Sequence, residues 1–377
     1  MVAHSTWPGQ SACAEGVGLS YHPFLHAVMI ARLDAYDFIE LPLDLYIDPA
    51  QSALLDPMDA RLRDIAAARP CIWRGSALSL GSVERPDDPA PDPRVIDRIR
   101  LLMERAGTTL YSDVIGFRGL EGRDLGVPQS LPSTDSAARW MAARYSAARN
   151  ALGHPFLLQP AGCAIAAPRS GCDHAAFLRR IVSLADCELL LSVVDLERVA
   201  TETGVDPADM MNRLPHESIA MLATSGKHEA EWALLSQLVE VTAARAIVIR
   251  RTDDLFPLDA IVNAAHRARS VLTRERRPMA RRPETEPPRT AEPLDDDPGG
   301  LASLRCHESD LIDFCLSPAS APPPLSLGDI APAVVTRLAS HLRPWQVWRE
   351  RIADTHKARQ IAQFLAEDTG HDARQRG

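Results

Sequence analysis

Short apolar runs alternate along this chain with longer amphipathic ones. The runs at 16–20, 37–41, 70–74, 108–114, 155–159, 188–194, 219–223 and 246–250 read as strands. Several are almost continuously apolar, as in Glu188-Leu-Leu-Leu-Ser-Val-Val194. That composition suits parallel strands covered on both faces. The stretches between them, 22–33, 51–68, 93–106, 136–152, 173–184, 196–212, 228–243 and 258–272, carry helical patterning. Asp173 and Asp206 suit N-caps. Phe177, Leu178, Ile181 and Leu184 have the spacing of a buried helical stripe. Eight strands alternating with eight helices over about 270 residues predict a closed, TIM-type (β/α)8 barrel. The alternative, a doubly wound open sheet, lacks a Gly-rich phosphate fingerprint after any strand.

The pattern stops near residue 274. Residues 275–300 are rich in Pro, Arg, Glu and Asp and nearly devoid of large apolar side chains, so they read as a disordered linker between the barrel, 14–274, and a small helical C-terminal region, 301–377. In that last region Leu311, Ile312, Phe314 and Cys315 begin an apolar stripe that 317–324 interrupts. Helical patterning resumes at 330–342 and 344–367, with Trp345, Trp348 and Ile352 on one face. The two tryptophans suit either docking on the barrel or anchoring a partner.

Composition narrows the function. With 377 residues, 46% of them hydrophobic, the chain can bury one large core and one small one. A formal net charge of −9 argues against a nucleic-acid partner. No apolar run is long enough to span a bilayer, and no leader pattern opens the sequence, so the cytoplasm is the expected compartment. The seven cysteines are scattered without a Cys-x-x-Cys pair, which speaks against a disulfide framework or a structural zinc and for small buried hydrophobes. His22 and His26 share a helix face without a carboxylate at matching spacing. Cys172 and His174, like Cys306 and His307, are too close in sequence to imply a thiol–base pair.

Some segments point further. They are Gly16-Val-Gly-Leu19; Phe38-Ile-Glu-Leu41 with Tyr46; Arg74-Gly-Ser-Ala-Leu-Ser-Leu-Gly-Ser82; Ser112-Asp-Val114; Ala151-Leu-Gly-His-Pro-Phe-Leu-Leu158; Trp232-Ala-Leu-Leu235; and Ile247-Val-Ile-Arg-Arg251 with Asp253 and Pro257. In this order and spacing the chain resembles the multinuclear non-heme iron-dependent oxidases over roughly residues 14–274, most specifically in Leu-Ser-Leu-Gly-Ser. The resemblance implies a β/α barrel and modification of ribosomally made peptides. It also implies two or three irons held by His, Glu, Asp and Asn at the strand ends, and a small partner protein that presents the peptide.

Position by position, the metal set implied by the resemblance is missing. Arg74 and Val114 stand where the resemblance expects histidines, and so does Met221. Gln159 and Pro160 replace a Glu-Asn pair, Ser192 an aspartate and Arg250 a glutamate; Glu40 matches and Asp44 can stand in for a glutamate. Iron takes imidazole and carboxylate ligands, and Val114, Met221 and Pro160 offer none. Arg74 and Arg250 stay protonated and repel a metal ion, by several kcal/mol in order of magnitude in a poorly solvated pocket. We therefore expect no family-type iron and no other cofactor.

The candidate site is the barrel mouth, lined by Glu40, Arg74, Asp113, Gln159, Ser192, Asp195 and Arg250. Two arrangements are open. The arginines form a pocket for a carboxylate, a phosphate or an acidic peptide, or they pair with Glu40, Asp113 or Asp195 and fill the space vacated by metal. The function expected is a non-catalytic binding or scaffold subunit, a pseudoenzyme, in ribosomal-peptide modification, with a peptide or a small partner protein as ligand. The alternatives are an enzyme with altered chemistry at Glu40, Arg74, Asp113, Asp195 and Arg250, or an iron oxidase with a remnant site. The sequence assigns no catalytic residue.

Overall fold

The computed structural model describes residues 14–21, 26–47, 55–161, 174–250, 258–274 and 300–316. In chain order the elements are β1 Gly16–Ser20, α1 His26–Ala31, β2 Phe38–Pro42, α2 Asp44–Ile47, α3 Leu55–Ala68, β3 Cys71–Gly75, α4 Pro93–Arg105, β4 Tyr111–Ile115, β5 Phe117–Leu120, β6 Arg123–Gln129, α5 Asp135–Leu152 and β7 Leu157–Pro160. They continue with α6 His174–Ala185, β8 Leu189–Ser192, α7 Val193–Thr203, α8 Pro207–Asn212, β9 Ile219–Thr224, α9 Glu229–Val241, β10 Ala246–Ile249, α10 Leu258–Arg274 and α11 Gly300–Leu316. Eight of the strands close a parallel barrel in the order β1-β10-β9-β8-β7-β4-β3-β2. Each of the eight expected strands is there. The open-sheet alternative is excluded, because β1 pairs with both β2 and β10.

Strand alternation sorts the side chains into two buried clusters. Phe38, Ile72, Leu157, Leu190, Met221 and Val248 belong to a small cluster inside the barrel. The alternate residues, among them Ile39, Leu41, Trp73, Leu158, Leu191, Leu222 and Ile249, join the larger cluster beneath the helices. The continuous apolar runs in the sequence follow from this, since each strand is covered inside and out. Gly18 fits the same arrangement. A Cβ there would collide with the Phe38 ring, so the absence of a side chain on β1 makes room for the aromatic ring on β2.

Local details depart from the sequence expectations. Val193 and Val194 begin α7 rather than extending β8, because the Ser192 side chain accepts a hydrogen bond from the Asp195 amide and caps the helix one residue after the strand. The helix expected over 196–212 is two helices. Gly204, at φ 68°, ends α7, and Asp206 caps α8 by accepting from the Ala208 amide. Asp173 lies outside the described residues. Leu184 is exposed, and Ala185 completes the buried stripe with Phe177, Leu178 and Ile181. The antiparallel β5–β6 hairpin was not expected; it follows β4 directly, with only Gly116 between β4 and β5.

Of the region after the barrel, α11 begins at Gly300, the residue assigned above to the end of the linker. It packs on α5, β5 and β6, with Leu304, Glu308 and Ile312 buried. Residues 275–299 and 317–377, including Trp345 and Trp348, and the side chains of Leu311, Phe314 and Cys315, lie outside the description. So do His22, Cys163 and Cys172. Cys71 and Cys187 are buried free thiols, as small hydrophobes would be, and Cys306 is exposed. No described helix is long and apolar enough to cross a membrane.

Candidate functional site

The chain positions its polar interior by simple alternation. One pleat beyond the apolar interior residues Phe38, Ile72, Leu157, Leu190 and Val248 come Glu40, Arg74, Gln159, Ser192 and Arg250, toward the C-terminal ends of the strands. Four of these meet. Arg250 Nε donates to both oxygens of Glu40, at 2.8 and 3.1 Å, and one Nη donates to Glu40 Oε1 at 2.5 Å. Its other Nη donates to Gln159 Oε1 at 3.0 Å. Arg74 approaches from the opposite side, its Nε 3.4 Å from Glu40 Oε2. The Ser20 hydroxyl, at the end of β1, also bonds Glu40.

Glu40 is fully buried. Burial by itself would raise its pKa, but the charges of Arg250 and then Arg74, with hydrogen bonds from Arg250 and Ser20, outweigh it and hold the carboxyl below its ordinary value. Arg74 is pulled below the ordinary arginine value, first by desolvation and then by the second guanidinium of Arg250.

The other expected site residues sit elsewhere. Asp113 has the parity of Tyr111 and Ile115, which face the helices, so it points out of the barrel. There it lies under the 76–83 loop, accepting from the Tyr111 hydroxyl and, at 3.3 Å, from the Leu78 amide. Burial, reinforced by the charge of Asp44, pushes the Asp113 carboxyl up to about 8, against the lowering effect of its hydrogen bonds. Ser192 is engaged as the α7 cap, and Asp195 pairs with Arg198 at 3.5 Å. Asp44 is held by Arg118 at 2.9 Å and by the Ser76 hydroxyl at 3.3 Å.

Sequence reasoning did not find Ser20, nor the clamps on the Leu-Ser-Leu-Gly-Ser loop. Arg144 donates to the Leu78 carbonyl at 3.1 Å, Trp140 to the Ser82 carbonyl at 3.1 Å, and the Val83 amide to Glu308 of α11 at 3.0 Å. Ser20 was available as the interior-facing residue two positions after Gly18. The clamps, contributed by distant helices, left no local signal.

The described residues do not fit the multinuclear iron cluster that the sequence resemblance implies. Both Glu40 oxygens accept from Arg250, which stands in place of a carboxylate ligand. Val114 and Met221 are buried aliphatic or thioether side chains at positions expected to supply imidazole. No group of three or more His, Cys, Asp or Glu is placed to hold a metal ion among the described residues. The segments 22–25, 162–173 and 251–257, which follow β1, β7 and β10, lie outside the described residues.

Comparison with known proteins gives matches along the barrel residues. A family model described as RiPP precursor modification enzyme MbnB/TglH/ChrH matches residues 16–273. A UPF0276 protein of Nitrosospira multiformis is 25% identical over 266 residues, covering 65% of this chain and 89% of its own. One from Acaryochloris marina is 23% identical over 279 residues, covering 69% and 95%. Among solved structures, the 3-keto-D-glucoside 4-epimerase YcjR of E. coli aligns with a TM-score of 0.43 at 12% identity, over 68% of this chain and 100% of that one. An L-ribulose 3-epimerase aligns with a TM-score of 0.43 at 13% identity, over 69% and 95%.

Proposed function

We propose that this chain, which belongs to the RiPP precursor modification enzyme family MbnB/TglH/ChrH, serves as a peptide-binding or scaffold subunit in ribosomal-peptide modification and does not carry family-type iron. The observation that carries this reading is the seat of Arg250. A guanidinium bonded to Glu40 and Gln159 lies where a metal-binding carboxylate is expected, and it occupies Glu40, the acidic position that matches the family. The family frame supports a peptide ligand, delivered directly or by a small partner protein.

The reading of altered acid–base chemistry has less support. Of its three carboxylates, Glu40 is tied to Arg250, Asp195 is paired with Arg198, and Asp113 faces the helices. A general acid or base must reach the reacting proton.

Iron content tests the proposal. The full chain is purified without chelator from cells grown with added iron and analysed by inductively coupled plasma mass spectrometry. The expected result is iron well below one per chain. A reproducible stoichiometry of one or more irons per chain would overturn the reading and restore an iron oxidase.

A further inference from the structure

We propose that the barrel mouth is a receptor for a single carboxylate, with Arg74 as its recognition residue. The charge count at the strand ends is unequal, since two guanidinium groups face the one buried carboxylate of Glu40. Arg250 is spent, its donors going to Glu40 and Gln159, and its side chain is only 12% exposed. Arg74 is placed differently. Its side chain is 35% exposed, and its buried Nε makes no hydrogen bond among the described residues. That Nε is turned to Glu40 at 3.4 Å, so a ligand would meet the exposed remainder of the guanidinium, whose planar fork matches the two oxygens of a carboxylate.

The nearby acids do not cancel this excess. Asp44 and Asp195 both act on Arg74 through their charges, but Asp44 is bonded to Arg118 and Ser76 and Asp195 is paired with Arg198. The size of the excess selects the ligand. One added negative charge neutralises the cluster of Arg74, Arg250 and Glu40. A phosphate dianion would leave it negative in a site where Glu40 is already fully desolvated. The inference rests on the peptide-binding reading above for the source of that carboxylate, an acidic side chain or a chain terminus.

The experiment uses 15N-labelled full-length protein and follows the arginine Nε–Hε resonances of Arg74 and Arg250. Acetate is titrated at an ionic strength held constant with chloride. A saturable shift of both resonances is expected. In R74Q the Arg250 resonance, still dispersed through its bonds to Glu40 and Gln159, should no longer respond. R74K, which keeps the charge beside Glu40 but not the fork, should bind acetate at least fivefold more weakly. No shift in the native protein, a shift that chloride reproduces, or an unchanged response in R74K would overturn the inference.

Three pentapeptides then separate it from the reading beneath it. One is amidated with a central glutamate, one is amidated with a central glutamine, and one carries the glutamine and a free terminal carboxylate. A tenfold preference for the first assigns a side-chain source, and one for the third a terminal source. Acetate binding with no response to any peptide supports the carboxylate site and counts against the peptide-binding reading.

Discussion

Arg250 and Glu40, 210 residues apart in the sequence, form an ion pair inside the barrel, with Arg250 Nε donating to both carboxylate oxygens at 2.8 and 3.1 Å. The pair joins β2 to the end of β10 across the interior. Glu40 is fully buried and Arg250 nearly so, so removing either partner strands a charge in a poorly solvated place.

E40Q and R250Q should each destabilise the protein by about 3–5 kcal/mol. The double variant should cost at least about 1 kcal/mol less than the sum, because each single change removes the same interaction. Urea denaturation of the three variants gives the cycle, and strict additivity would show that the pair contributes nothing jointly. The pH dependence has a definite sign. Glu40 has a lowered pKa in the folded state. Its contribution is therefore present above the unfolded glutamate pKa of about 4.3 and is lost as pH falls through the lower folded value. E40Q should lack that acid-side loss.

Asp113 behaves in the opposite way. Its carboxyl is raised to about 8 in the folded protein, against about 3.9 when unfolded. Between those values the unfolded chain has released the proton and the folded chain has kept it. Stability therefore falls as pH rises across this window, by up to about 1.4 kcal/mol per pH unit, and levels off above it. D113N, which can still accept from the Leu78 amide, should show a shallower slope in urea midpoints measured between pH 5 and 9. An unchanged slope would mean that Asp113 is ionised in the fold.

Glu308 ties α11 to the barrel through the Val83 amide, and burial holds its carboxyl well above the ordinary glutamate value. Burial thus disfavours the charged form of this group. E308Q, which keeps an acceptor for Val83 without a charge, should cost less than about 1 kcal/mol. E308A leaves a buried amide unpaired and should cost about 1–3 kcal/mol. Hydrogen exchange at Val83 should accelerate in E308A and not in E308Q.

Gly18 gives a packing test. A methyl group there would overlap the Phe38 ring inside the barrel. G18A should lower stability by at least about 1–3 kcal/mol through overpacking. F38L in the G18A background, by removing the ring, should recover part of the loss in thermal denaturation. A G18A protein as stable as the native one would show that the interior can shift to accept the methyl.

The sequence by itself determined the barrel. Apolar runs of strand length recur at the interval of a strand and a helix, and a parallel sheet covered on both faces requires that composition of its strands. It also carried the expectation of a degenerate metal set, because Val114 and Met221, matched to histidines by the resemblance, lack imidazole wherever they point. It did not place Asp113, since whether a strand-end residue faces the mouth or the helices depends on parity. A one-residue uncertainty in a strand reverses the side to which each side chain points. Nor did it reveal the β5–β6 hairpin or the break at Gly204, which depend on local turn geometry and capping. Only the tertiary structure showed how the two mouth arginines lie relative to Glu40. Both guanidinium groups are set near Glu40 by ring closure, and Arg250 hydrogen-bonds there while Arg74 Nε lies 3.4 Å from Glu40 Oε2 without a hydrogen bond. That difference arises from distances between strands far apart in the chain, which no local pattern of residues encodes.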